Sequence, residues 1–517
     1  MFRASRRQFL ASVGQGMFVA TVGYHTALDL GLARAATDAE PTLDFGSLEP
    51  LVDLMQSTEA DKLLPILVAR IRGGESLRTL VAAGALANAR AFGGEDYIGF
   101  HTLMALAPSY AMSQRLPADR AALPVLKVLY RNARRLQETG GADHHTLRPV
   151  PAQLGEGVPS DRLREAIHHR DLKAAEPLFV ALAAQSPEDA FNALIPIVGE
   201  APEVHRVVLA HRAWDMLGLV GAEHAGTMLR QSVHYCIKNE EYAAREHLDV
   251  RTLLPKLLDQ HKLNDGAKGT RTGDDAWVDQ LSQLIFKSTP EGAADAVAAA
   301  LAEGMSPDVV AESLSLAANQ LVLRDSGRPA GQTQPNKPLG SVHGDSIGVH
   351  ACDSAHAWRS ISHVGSPRNR AAALILGAWQ AAYDRTSRGG DFLAWEPRPT
   401  AEQLGKVADQ DGAALLAELD AAVRAQDQAR ACAVAERYSE QGYDAQPAFD
   451  VLLRFATSED GALHAEKYYR TTTDEYAATR PAFRGRQLVA LARVTASEFG
   501  QPAPGYAEAC GLLGVTA

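Results

Sequence analysis

Four histidines, His101, His205, His350 and His464, stand in matching local contexts along a 517-residue chain. Gly99-Phe100-His101 is echoed 249 residues later by Gly348-Val349-His350, and Val204-His205 is echoed 259 residues later by Leu463-His464. Neutral imidazole suits iron, copper, zinc or nickel, and helical bundles build such sites from ligands on different helices. If the two stretches pack face to face, equivalent residues meet across a pseudo-axis and four imidazoles surround one cleft. His211 and His356 each follow a member of the set by six residues. Six residues turn a helix by about 600°, so each lies about 120° from its predecessor and on another face. His205 and His350 are therefore the better ligands, with His356 and His224 kept as peripheral candidates. Lys467 and Tyr468, beside His464, are candidate proton donors. The competing expectation for any single histidine is a core side chain that donates to a backbone carbonyl.

Other patterns carry less. Glu165-x-x-His168 is the sole strict Glu-x-x-His, with Asp353-x-x-His356 a near match, and the two do not fall at equivalent positions, so a di-iron carboxylate bundle is not indicated. H-E-x-x-H and C-x-x-C-H are absent, which argues against a zinc protease and attached haem. Gly344-Asp345-Ser346-Ile347-Gly348 fits the G-x-S-x-G pattern of serine hydrolases, but no apolar strand precedes it, as a nucleophile elbow requires. The widely spaced Cys236, Cys352, Cys432 and Cys510 form no metal pattern; buried thiols are expected ahead of disulfides. Arg120 and Arg370 occupy equivalent places and are expected to cap helices rather than bind an anionic substrate.

The elements that must position these side chains are helices. Apolar residues recur at spacings of three and four, alanine is abundant, and aromatics are only 6%, which together indicate an all-α protein. Helix punctuation repeats: Ser57-Thr58 starts a segment ended by Gly73-Gly74 with Ser76 as the next cap, and Ser288-Thr289-Pro290 starts one ended by Gly304 before Ser306-Pro307. Leu163-x-x-Ala166-Ile167-x-x-x-Asp171 is echoed by Leu419-x-x-Ala422-Val423-x-x-x-Asp427. The ordered matches predict an internal duplication: a first α-helical half over residues 36–275 and a second over 276–517, packed with approximate twofold pseudo-symmetry. The second half carries an insertion rich in Gly, Pro and Asn near residues 324–345.

Ser5-Arg6-Arg7-Gln8-Phe9-Leu10, a weakly apolar run and Ala33-Arg34-Ala35 read as a twin-arginine export signal over residues 1–35. The expected destination is the periplasm or the exterior. Removing that segment takes the formal charge from −11 to −14, which disfavours nucleic acid and anionic lipid as partners. No later run of eighteen apolar residues occurs, so no membrane insertion is expected after cleavage.

The stretches Gly99–His101, Val204–Trp214, Glu223–Ala225, Val349–His356 and Leu463–Lys467 resemble a group of twin-arginine-exported, histidine-rich α-helical proteins. More remotely they resemble questin-oxidase-like proteins, helical oxygenases that open quinone rings. The resemblance implies a helical, histidine-rich fold and oxygenase chemistry. Combined with the residue pattern, it predicts an exported metal-dependent oxidoreductase or oxygenase acting on a small molecule, with iron expected ahead of copper or zinc. The alternatives are a non-enzymatic helical binding or scaffold protein and, third, a serine hydrolase using Ser346.

Overall fold

Side-chain caps set where the helices begin. Ser76 accepts from the Thr79 amide at 3.0 Å, Asp96 from Gly99 at 2.7 Å and Thr289 from Gly292 at 3.1 Å, each satisfying an amide that the first turn leaves open. The computed structural model describes residues 41–517 other than 388, 389, 409 and 410. The expected export signal at residues 1–35 lies outside these.

The first half supplies α1 (Glu49–Ser57), α2 (Ala60–Arg72), α3 (Leu77–Phe92), α4 (Tyr97–Ser113), α5 (Leu123–Glu138), α6 (Pro159–His168), α7 (Leu172–Gln185), α8 (Pro187–Val198), α9 (Val204–Val220) and α10 (Ala225–Lys238). Then α11 (Glu240–Glu246) and α12 (Leu248–Gln260) lead to the loop where the halves were expected to join. The second supplies α13 (Asp275–Lys287), α14 (Pro290–Ala302), α15 (Pro307–Arg324), α16 (Ile347–Val364), α17 (Pro367–Ser387) and α18 (Ala401–Gly405). It ends with α19 (Gly412–Arg424), α20 (Gln428–Glu440), α21 (Ala445–Ser458), α22 (His464–Ala478), α23 (Gly485–Glu498) and α24 (Tyr506–Leu513). Among the described residues there is no strand beyond isolated bridges such as Arg271 with Met305. The fold is all-α. No helix among them is long and apolar enough to cross a membrane.

The packing partners follow the same order in both stretches. Helix α3 packs on α4 and α15 on α16; α4 packs on α5 and α16 on α17; α7 packs on α10 and α20 on α23. Across the join, α4 packs on α22 while α16 packs on α9. Asp171 and Asp427 each cap a helix at nearly the same angles, φ −90° and ψ 85° against φ −85° and ψ 86°. The residues before them, Arg170 and Gln426, both have positive φ, 56° and 55°.

The small residues are where helices come closest. A Cβ on Gly99 would lie 2.5 Å from the Phe92 ring at the end of α3, and one on Gly348 would lie 2.6 Å from the Val322 amide nitrogen of α15. Each glycine stands two residues before a candidate histidine, so close approach at Gly99 and Gly348 fixes the rotation of α4 and α16 and with it the direction of His101 and His350. Both are packed into an interior whose largest fully buried side chains include Trp358 and Trp379. Interiors of this density resist rotation of a helix about its axis.

Candidate functional site

The four histidines come from four helices: His101 from α4, His205 from the first turn of α9, His350 from the first turn of α16, and His464 from the first residue of α22. Their rings form a closed quadrilateral. Centroids are 4.9 Å apart for His101 and His205, 5.7 Å for His205 and His350, 5.3 Å for His350 and His464, and 5.2 Å for His464 and His101. The two pairs in matching sequence contexts, His101 with His350 and His205 with His464, occupy opposite corners. The sides that a twofold would exchange are 4.9 and 5.3 Å, and 5.7 and 5.2 Å.

Hydrogen bonds assign the ring protons. His101 Nδ1 lies 2.7 Å from the Tyr97 carbonyl, and His464 Nδ1 lies 3.0 Å from the Ala462 carbonyl. A carbonyl oxygen only accepts, so each Nδ1–H is the donor. Burial, reinforced by the Lys467 ammonium, pushes both imidazoles well below their ordinary range. They are neutral, and their Nε2 atoms carry lone pairs. His205 Nδ1 faces the Glu203 carboxylate at 3.3 Å. The Nε2 atoms of His101 and His205 are buried without a hydrogen-bond partner. Those of His350 and His464 are 3.2 Å apart; because His464 Nε2 is bare, an Nε2–H on His350 donates to it.

The surroundings hold this arrangement. Burial pushes the Glu203 carboxyl up, but its bonds to His205 and Tyr235 bring it down to about 2. Glu203 also caps α9, accepting from the amides of His205 and Arg206. Tyr97 and Phe100 stack against His101 with centroids 4.5 and 5.0 Å away. His464 is aimed by backbone strain: Ala462 and Leu463, immediately before it, have φ of 46° and 66°, a region that costs non-glycine residues energy and persists only when packing imposes it. Gly344 presses on its Cβ, leaving no room for a side chain there. Two residues further along α22, Glu466 forms a buried ion pair with Lys127 of α5 at 2.6 Å.

Lys467 is buried, and desolvation lowers its ammonium to about 8 despite Asp353 and Glu466 nearby. It belongs to the environment of His101 and His464. Tyr468 is buried beside Cys352, and burial holds its phenol well above the ordinary range, so it keeps its proton. His224 is only half-buried, and its ring meets Phe45 edge-on at 5.7 Å. His356 is engaged elsewhere: its Nδ1 is 3.0 Å from Glu475, and its ring is 5.5 Å from His211. Both His205–His350 and His211–His356 lie where α9 meets α16, so these helices run parallel. The expected rotation of about 120° separates the two pairs into different clefts. His205 and His350 line a cleft of about 480 Å³ with Tyr235, His247, Tyr383 and Asp384. His211 and His356 line a second of about 440 Å³ with Arg212, Asp215, Arg470 and Asp474.

Other candidates take structural positions. Ser346 Oγ caps α16, 3.4 Å from the Val349 amide, with loop rather than strand before it. Arg370 donates to the Ser362 carbonyl and Arg120 to that of Thr516. The four cysteines are buried free thiols. Glu203 and Tyr97 were not singled out from sequence; of these only Glu203 left a usable signal, an acidic cap two residues before His205.

Among the described residues no group of three or more His, Cys, Asp or Glu side chains is already converged to hold an ion. No family model, curated protein or solved structure matches the chain. The class defined by fold and site is an all-α protein with a buried four-histidine cluster at the end of an open cleft.

Proposed function

We propose that this chain is an exported metal-dependent oxidoreductase or oxygenase whose ion is held by His101, His205, His350 and His464. The observation that carries the reading is the pair of buried, unpartnered Nε2 atoms on His101 and His205 facing a 3.2 Å contact between the other two. Two nitrogens bound to one ion at about 2.0–2.1 Å lie roughly 3–3.4 Å apart, the spacing of that contact. Bonds from Nδ1 to a carbonyl or carboxylate are the usual way a histidine ligand is oriented with Nε2 bare. The side chains would need to close further around an ion, and His350 would need to carry its proton on Nδ1 instead of Nε2. A bound transition ion, iron before copper or zinc, would supply Lewis acidity or activation of dioxygen.

The chain's own residues do the rest. The cleft admits a small-molecule substrate to the His205–His350 edge, with Tyr235, His247 and Tyr383 along its wall. Tyr97 and Phe100 pack against the His101–His205 side of the ring. Lys467 holds a proton that it gives up at about pH 8. We also infer that the halves arose by duplication, which accounts for the shared packing order and places the twofold through the histidine ring.

The test is elemental analysis of protein purified after native export, beside His101→Ala and His350→Ala. The reading expects about one ion per chain in the parent and little in either variant, because each removes a ligand. A folded parent without metal would overturn it and leave a helical binding protein.

A further inference from the structure

The second cleft holds a buried guanidinium whose hydrogen bonds the protein leaves incomplete. Arg212 is 2% exposed. Its ion contact, NH1 to Asp215 Oδ2, is long at 3.5 Å, its Nε is buried without a partner, and Asp215 Oδ2 has no hydrogen bond either. A guanidinium keeps its charge and carries five donors. Burying such a group half-matched is costly unless an acceptor completes it. Arg212 lines the 440 Å³ cleft beside Trp214, His211 and Arg470. His211 is 7% exposed, and its Nε2 is likewise buried without a partner.

The same wall carries two carboxylates. Asp474 is 2.5 Å from Arg470 Nε and 3.7 Å from His356 Nε2, and Asp215 Oδ2 is left without a hydrogen bond. A bare anion would meet these carboxylates as well as the guanidinium. A ligand bearing a carboxylate and, next to it, a hydroxyl or ammonium would satisfy both: acceptors for Arg212, a donor for Asp215. We infer that this cleft is a binding site for a small hydroxy- or amino-carboxylic acid, with Arg212 as its carboxylate anchor and Asp215 as the acceptor for the neighbouring donor. The site is separate from the histidine ring, six residues along α9 and α16 and so about 9 Å away along the helices.

The proposal is tested by calorimetric titration and thermal shift of the full mature protein with malate, alanine, succinate and inorganic phosphate at matched ionic strength, after chelation to remove metal. Malate or alanine is expected to bind and raise Tm, with succinate and phosphate at least about tenfold weaker, the scale of one charge-assisted hydrogen bond. The malate arm distinguishes a hydroxy acid from the amino acid of the alanine arm. Arg212→Gln is expected to abolish binding. Because Arg212 is buried, Asp215→Asn is the second variant: it keeps the guanidinium and is expected to shift preference toward succinate. Binding of none of the four, equal binding of phosphate, or binding unchanged in a folded Asp215→Asn protein would overturn the assignment. Chelation makes this outcome independent of whether the histidine ring holds an ion.

Discussion

The histidine ring and the second cleft sit on the same helices, six residues apart, yet differ in how the two halves contribute. At the ring both halves supply the same residue, so four imidazoles face one another. At the second cleft the 259-residue offset that carries His205 to His464 carries His211 to Arg470, and Asp215 to Asp474, while the 249-residue offset of His101 and His350 sets Ala107 against His356. Symmetric contribution concentrates one chemistry on an axis; asymmetric contribution mixes guanidinium, carboxylate and imidazole in one wall. The ring is also the more deeply supported, with an ion pair, a strained turn and a close glycine contact behind His464 alone.

That contrast can be broken by mutation. The largest effect is expected at Lys127→Met, which strands the Glu466 carboxylate in the interior; removing one partner of a buried pair costs about 3–5 kcal/mol, measurable by urea unfolding. Arg470→Gln at the second cleft, where the Arg470 and Asp474 side chains are 30% and 32% exposed, is expected to cost under about 1 kcal/mol. Equal costs would erase the distinction.

Acid should weaken the whole assembly next. His101, His211 and His464 are held neutral in the folded state, their protonation pushed well below 6.5 chiefly by burial. Below pH 6.5 the unfolded chain takes up protons that the folded chain refuses. Their stability contribution is therefore complete above that pH and declines as pH falls, by about 1.4 kcal/mol per unit for each histidine. Denaturant midpoints from pH 7.5 to 5 should slope accordingly, and His101→Gln or His464→Gln should flatten the slope by one histidine's share. An unchanged slope would show that the ring is protonated in the folded protein.

Two smaller effects sharpen the picture. Gly344→Ala would drive a methyl into the His464 Cβ, 2.2 Å from its ideal position, with an expected cost of about 1–3 kcal/mol from overpacking and weakened metal retention. Ser346→Ala should cost about 1 kcal/mol as a lost cap and leave metal content unchanged. Labelling of Ser346 by a serine-directed acylating reagent would instead restore the hydrolase alternative.

Much of the scaffold was legible because helix signals are local. Ser76, Thr289 and Ser306 cap as read, and the helix pairs around them begin and end near their serines, threonines and glycines. The quartet of histidines was legible from register alone, since matched spacing in two halves is a statement about place as well as type. The partners were not. Glu475, which claims His356, lies 119 residues away from it, and Lys127 lies 339 residues from Glu466; no local pattern links residues so far apart.

The sequence by itself determined the helices and their order and marked the four histidines of interest, because periodicity, capping and matching local contexts are written in neighbouring residues. Tertiary structure alone decided that those histidines close into a ring while His356 joins His211 and His224 turns to Phe45. It also decided that Tyr97 and Ala462 carbonyls fix the ring protons and that Lys467 is desolvated. These outcomes depend on the rotation and depth of helices packed from opposite ends of the chain. Burial, distance and unmatched charge exist only once those helices meet.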